Sequence, residues 1–254
     1  MTTKKRILKI LSALSAFALI ALLLLITSAL RGNPISMIWA KIDIRAYVEE
    51  TYPDRNFIID RPRYSFKTGG YYASVTDPES PDTIFSVFWE GGDVQYDNYS
   101  YEVEEKNSTL RRFSEAYDRA VTEAVEREFP YEIELCYGDL QMLEAWPELE
   151  LDMPFSMNEI PGGNIVVWIV EPEPDWNKMA ESLLILDEIM RRNGIPVLQY
   201  SLSLRLPLGE NEEWMGEGLS IFEYPSSKIE KEDLPNQLEK FYHDWQQENE
   251  KNDS

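Results

Sequence analysis

The chain holds 254 residues, with 46 acidic side chains against 24 basic ones, a formal charge of −22 and a single cysteine. A field of that sign repels phosphate backbones and argues against nucleic acid as a partner, and one thiol leaves no internal disulfide. At 43% hydrophobic content, 12% of the chain being aromatic, there is ample material for a packed core.

Residues 1–9 read as a short cytoplasmic tail. Residues 10–30, ILSALSAFALIALLLLITSAL, are uncharged and mostly apolar. At about 1.5 Å per helical residue they span the roughly 30 Å hydrocarbon core of a bilayer. The competing reading is a cleaved signal peptide with Thr27-Ser28-Ala29 as its site, but the run exceeds the ~7–15 apolar residues of a signal core. An uncleaved transmembrane helix is expected. Lys4, Lys5, Arg6 and Lys9 precede it, against Arg31 and Lys41 behind it, so the N-terminus stays cytoplasmic and the main body is extracellular. Beyond residue 31 the body carries 19 basic and 46 acidic residues, a formal −27. That charge attracts cations or a basic envelope protein. The lone Cys136, where an animal ectodomain would carry pairs, points to a Gram-positive bacterial surface.

After the membrane segment, MIWAKIDIRAYVEETYP has helical spacing and stops at Pro53. The period then changes to two. Phe57–Ile59, Tyr64 with Phe66, Tyr71–Val75 and Ile84–Trp89, separated by Gly and Pro turns, read as an antiparallel meander. Helical spacing returns through Val103, Leu110, Phe113, Tyr117 and Val121, a stripe expected to cover the preceding strands. YEIELCY, residues 131–137, alternates strictly and is read as a strand with Ile133, Leu135 and Tyr137 on one face and Glu132, Glu134 and Cys136 on the other. An apolar run at Ile165–Val170, a helix capped by Asp175, strands at Val197–Leu206 and Leu219–Tyr224, and a last helix with Leu234, Leu238, Phe241 and Trp245 on one stripe follow. The expected fold class is α+β: an N-terminal transmembrane helix, then antiparallel sheet units with helices packed on one face. The expected division is an N-terminal unit over 33–129, a C-terminal unit over 130–248 and a polar tail over 249–254.

The apolar segment followed by AYVEETYPDRNFII, the YSFKTGGYYASV hairpin, PDTIFSVFW and DVQYDNY resemble the YfjL-like family of membrane-anchored extracytoplasmic proteins of Gram-positive bacteria, most closely over residues 33–125. The resemblance implies an extracytoplasmic α+β body and supplies no catalytic residue.

Chemistry-bearing residues are few. In the acidic loop of YYASVTDPESPDTIFSVFW, Asp77, Glu79, Ser80 and Asp82 offer oxygen ligands suited to a cation such as Ca²⁺. Two prolines interrupt them and the EF-hand spacing is missing, so the loop is read first as a chain reversal. The only histidine, His243, falls off the apolar stripe of the last helix and has no partner ligands at zinc spacing. Asp93 with Asp97, or Glu102, Glu104 and Glu105, are candidate carboxylate pairs of the glycosidase kind. Tyr96, Tyr99 and Tyr101 alternate as a recognition surface would, and as sheet packing does. Cys136 is expected to be a sluggish thiol beside two carboxylates. Hydrolase and phosphate-loop motifs are missing and no cofactor is expected. The functional expectation is a membrane-anchored extracytoplasmic binding or interaction module of the bacterial envelope, not an enzyme. The alternatives are a carboxylate-dependent surface hydrolase and a structural accessory of a membrane complex.

Overall fold

The computed structural model describes residues 14–20, 22, 27, 30, 32–140, 149–207, 218–230 and 232–252, with side chains in the last helix described through 247. The expected membrane-spanning segment, 10–30, therefore lies about half outside the described residues. Those within it are helical, and Leu14, Phe17, Leu19 and Ile20 are exposed. Among the described residues no helix is long and apolar enough to cross a membrane. The chain divides into two units, Met1–Ser108 and Thr109–Ser254.

In the first unit, helix α1 (Pro34–Thr51) is started by Asn33, whose Oδ1 accepts the Ile35 amide at 2.9 Å. Pro34 stands in the first turn, where its missing N–H costs nothing. Ala40, Ile44 and Val48, spaced by four, form the buried face. They cover an antiparallel sheet in the order β1 (Ile58–Ile59), β3 (Tyr71–Asp77), β4 (Ser80–Glu90), β5 (Asp93–Asp97), with β2 (Arg63–Tyr64) also paired to β3. This is the expected meander. Alternation along β3 and β4 sends Tyr71, Ala73, Val75, Phe85, Val87 and Trp89 into the core. Trp89 Nε1 donates to Asp43 Oδ2 of α1 at 2.8 Å, tying helix to sheet. A π-helical turn at Ser100–Glu104 adds Val103 to the same core.

The second unit holds a four-stranded sheet in sequence order: β6 (Ile133–Asp139), β7 (Gly163–Val170), β8 (Val197–Arg205) and β9 (Leu219–Pro225). The expected all-antiparallel sheet is corrected here, because β7 and β8 are parallel. Helix α3 (Trp176–Arg192), capped by Asp175 Oδ1 at 2.7 Å from the Lys178 amide, joins them. A helix returns the chain to the end where β7 began, so β8 runs in the same direction.

A second correction concerns helix α2 (Asn107–Glu128), expected to cover the first sheet and to close a unit at residue 129. Its buried stripe of Phe113, Tyr117, Val121 and Val125 instead joins the core of β6–β9, together with α3 and helix α4 (Leu234–Asn252). The reason is a fitted contact. Gly138 of β6 and Gly163 of β7 both face the Tyr117 ring, which fills the space that side chains there would take. Its hydroxyl donates to the Pro196 carbonyl at 2.8 Å. In β7 and β8 the buried core residues are Ile165, Val167, Ile169, Tyr200, Leu202 and Leu204, so the three helices lie on one face of the sheet and, among the described residues, no helix covers its other face.

Candidate functional site

Strands β3 and β4 run into the acidic loop and leave only Pro78 and Glu79 between Asp77 and its partner Ser80. Asp77 Oδ1 accepts the Glu79 amide at 2.9 Å, an Asx turn, and its Oδ2 lies 3.6 Å from Arg55 Nη1. Ser80 Oγ accepts the Thr83 amide at 3.0 Å, closing a bulge in which Asp82 is fully buried and already engaged. Glu79 is exposed. Among the described residues no three His, Cys, Asp or Glu side chains gather as a metal-binding group, Asp77, Glu79 and Asp82 included.

Of the carboxylates singled out as acid–base candidates, Glu105 is exposed and the other four are tied up locally. Asp97 Oδ2 accepts the Tyr47 and Tyr52 hydroxyls at 2.8 and 2.9 Å, and its Oδ1 accepts the Tyr99 amide at 2.9 Å. Burial, then the bond to Asp97, pushes both tyrosine hydroxyls up. Asp93 accepts the Val94 amide, Glu104 accepts Ser100 Oγ at 2.6 Å, and Glu102 accepts from Asn98 and Ser108. The tyrosines do not share one surface. Tyr96 is exposed and stacked on Phe88 at 4.6 Å, whereas Tyr99 packs into an aromatic cluster with Tyr52 and Phe85. His243 is exposed on α4.

Cys136 is turned over relative to expectation. Ile133 pairs with Ile169 and Leu135 with Trp168, so Glu134 is one extra residue, a β-bulge. The bulge reverses the alternation behind it. Cys136 packs toward the core, while Leu135 and Tyr137 point to the open face. Burial pushes the thiol up to about 11, aided by the carboxylates of Asp118 and Glu126 on α2 and opposed by a bond to Thr122. The sluggish thiol is thus retained, with burial rather than Glu132 and Glu134 as its cause.

On the open face, at the carboxyl end of the parallel strands, lies a groove of about 320 Å³ lined by Trp168, Ser203, Arg205, Leu206, Ser220 and Phe222. Arg205 holds its guanidinium 4.4 Å from the Trp168 ring centre and 3.3 Å from a Glu134 oxygen. Ser220 Oγ donates to Ser203 Oγ at 2.9 Å, and Phe222 rests against Trp245. Each element places its part by alternation: Val166 and Trp168 on β7, Ser201, Ser203 and Arg205 on β8, opposite the buried parity. Two aromatic faces beside a guanidinium and a hydroxyl pair suit a ligand with a flat or C–H-rich face and a carboxylate or carbonyl edge. Parallel strands commonly offer ligands this end. The sequence held the signal in the alternating SLSLR of β8 and VVWIV of β7, which reads as a continuous apolar run until the parity is separated.

A second cleft, of about 310 Å³, opens at the opposite end of β8 beside α3. Asp187 there is nearly buried. Its Oδ2 meets Arg191 Nη2 at 2.7 Å and its Oδ1 accepts the Tyr200 hydroxyl at 3.3 Å. Burial raises the Asp187 carboxyl, against the lowering by Arg191 and Tyr200. Among the described residues that line this cleft, Asp187 is the one carboxylate, where glycoside hydrolysis uses a pair.

Comparison with known proteins agrees with this two-unit architecture. The profile of the YfjL-like N-terminal domain matches residues 7–98 and that of the YfjL-like C-terminal domain matches residues 116–239. No curated protein matches the chain. A crystal structure of a DUF5037 family protein from Ruminococcus gnavus is similar at 18% identity over 65% of this chain and 73% of that one, with a TM-score of 0.21, too low to carry an argument. Two domain profiles that together cover most of the sequence make this chain a member of the YfjL-like family.

Proposed function

We propose that this protein is a membrane-anchored extracytoplasmic binding module of the bacterial envelope, with the Trp168–Arg205 groove as its ligand contact. The observation that carries the reading is a sheet face whose side chains, among the described residues, stay out of the core. Leu135, Tyr137, Val166, Trp168 and Phe222 take no part in the core, and Tyr137 and Phe222 are exposed. Exposed aromatic and Arg side chains on a rigid strand scaffold are what binding surfaces are enriched in. Anchoring is supported by the 21 uncharged residues from 10 to 30 and by the exposed Leu14, Phe17, Leu19, Ile20, Leu22 and Leu30 among them. The lysine and arginine excess before that segment supports the outward orientation of the body.

A photo-crosslinking amino acid placed at Phe222 in the full chain, in its native membrane, tests this. Adducts are expected at that position, and Trp168→Ala or Arg205→Ala should abolish them. No adduct, or equal labelling from position 96 in the first unit, would overturn the assignment.

A further inference from the structure

Helix α1 is apolar on two sides. One side, Ala40, Ile44 and Val48, is buried under the first sheet. On the other, Ile35, Ile38, Trp39 and Ile42 are 65, 57, 57 and 52% exposed. Their i, i+3, i+4, i+7 spacing makes one continuous stripe. Toward the end of the helix this stripe changes character. Lys41 and Arg45 flank it, then Glu49 and Glu50 take over, all exposed. A water-facing helix face has no use for three isoleucines and a tryptophan in its first three turns.

The occupant follows from where that stripe begins. Only Arg31 and Gly32 separate the apolar segment from Asn33. Asn33 is fixed to the sheet, its carbonyl accepting the Tyr71 hydroxyl at 2.7 Å. Gly32 packs so closely on the Tyr71 hydroxyl and the Tyr64 ring that a Cβ there would lie 2.5–2.8 Å from them. Ile35 is five residues past the end of the apolar segment, so it lies within roughly 18 Å of it even were the link fully extended. The turn after Tyr64 adds Phe66, 68% exposed, and Lys67 at this same end of the unit. Isoleucine and tryptophan flanked by long cationic side chains are the composition of a helix that lies in the membrane interface. The two cations act on headgroups within about one Debye length, ~10 Å, and the acid between them, Asp43, is turned to the sheet, where it accepts from Trp89 Nε1.

From these observations we propose that the first three turns of α1 lie in the lipid headgroup region, with Ile35, Ile38, Trp39 and Ile42 in the bilayer and Lys41 and, just beyond those turns, Arg45 at the phosphates. This inference rests on the membrane-anchored reading and adds a second contact that fixes the orientation of the first unit.

The test uses the full chain with Cys136→Ser, reconstituted in phosphatidylcholine–phosphatidylglycerol vesicles. A bimane label is placed through Ile38→Cys, Ile42→Cys, Glu50→Cys or Tyr96→Cys, all at exposed positions. Retention on floated vesicles after an alkaline wash reports the anchor, and quenching by doxyl lipids reports the helix. Quenching at 38 and 42 severalfold above that at 50 and 96 is expected, stronger with shallow than with deep doxyl groups, as a face about 5–10 Å into the headgroup boundary requires. Retention with equal, weak quenching at all four positions overturns the interfacial helix and leaves the anchor standing. Retention with label at 38 shielded by a crosslinkable second copy overturns it in favour of a protein occupant. Release by the alkaline wash overturns the anchor, and the inference with it.

Discussion

Replacing Gly163 by alanine tests the contact that assigns α2 to the second sheet. The new Cβ would stand 2.5 Å from the Asp139 carbonyl oxygen and 2.6–2.8 Å from Tyr117 ring atoms. It falls roughly 0.9 Å short of the 3.4 Å at which ordinary contact begins. The oxygen belongs to a paired strand and cannot swing away. The ring is held by its hydroxyl bond to Pro196, so neither neighbour yields without breaking something else. Overpacking of this kind costs about 1–3 kcal/mol, which lowers the melting temperature of a unit this size by roughly 2–12 °C. Circular dichroism melts of the wild type and Gly163→Ala measure it. Gly138→Ala is the internal control, since its Cβ meets only side-chain atoms of Tyr117 and Val121 at 2.9 Å. Its loss should be smaller and should be relieved by Val121→Ala, a coupling of about 0.5 kcal/mol or more. A Gly163→Ala variant that melts within about 1 °C of the wild type would refute the fitted contact and with it the reason given for the placement of α2.

Asp97→Asn leaves one oxygen for the Tyr47 and Tyr52 hydroxyls but sets an NH2 against the Tyr99 amide, so an acceptor is lost as well as the charge, and a urea titration should record a loss of about 1–3 kcal/mol; no loss would mean the network contributes nothing net. Maleimide labelling of Cys136 should reach its half-thiolate rate near pH 11, and half-maximal labelling near neutral pH would contradict the burial argument. Asp187 has a raised folded-state carboxyl, so it binds its proton more tightly folded than unfolded. The stability this contributes is present below the unfolded carboxyl value of 3.8 and is lost as pH rises through the raised one. Asp187→Asn should therefore remove that slope from the acid side of the stability curve and be neutral or stabilising at pH 7. A marked loss at pH 7 would show that the ion pair with Arg191 outweighs burial.

The elements of both units were legible because their signals are local. Asn33-Pro34 and Asp175 start helices by their own chemistry, and alternation through Tyr71–Val75 and Phe85–Trp89 marks a buried sheet face without reference to anything distant. What was not legible depends on partners far along the chain. The stripe of α2 says that the helix covers a sheet, but two strands precede it within reach and two follow. The choice is made by Gly138 and Gly163, which face the Tyr117 ring together only once β6 and β7 have paired. Cys136 shows the same limit on a smaller scale. YEIELCY alternates without fault as text, and one bulged residue at Glu134 exchanges the faces of everything after it.

That exchange also bears on where a ligand can go. Without the bulge, Leu135 and Tyr137 would turn into the core and Cys136 would face out, leaving β6 polar beside Trp168. With it, Leu135 pairs with Trp168 and Tyr137 with Val166 on the open face, and Glu134 reaches Arg205. One inserted residue thus extends the apolar strip of β7 onto β6 and supplies the carboxylate that orients the guanidinium over the Trp168 ring. Bulges are concentrated beside functional sites for this kind of re-aiming. Deleting Glu134 removes the extra residue while Ile133 stays opposite Ile169 and Leu135 opposite Trp168, so Cys136 should keep its core side and its slow labelling by maleimide, while Arg205 loses its carboxylate partner and adducts from the groove should fall. If groove adducts persist undiminished in the deletion variant, the Glu134 carboxylate does not orient Arg205 and the groove does not depend on it; rapid labelling of Cys136 there would refute the register in which Glu134 is the extra residue.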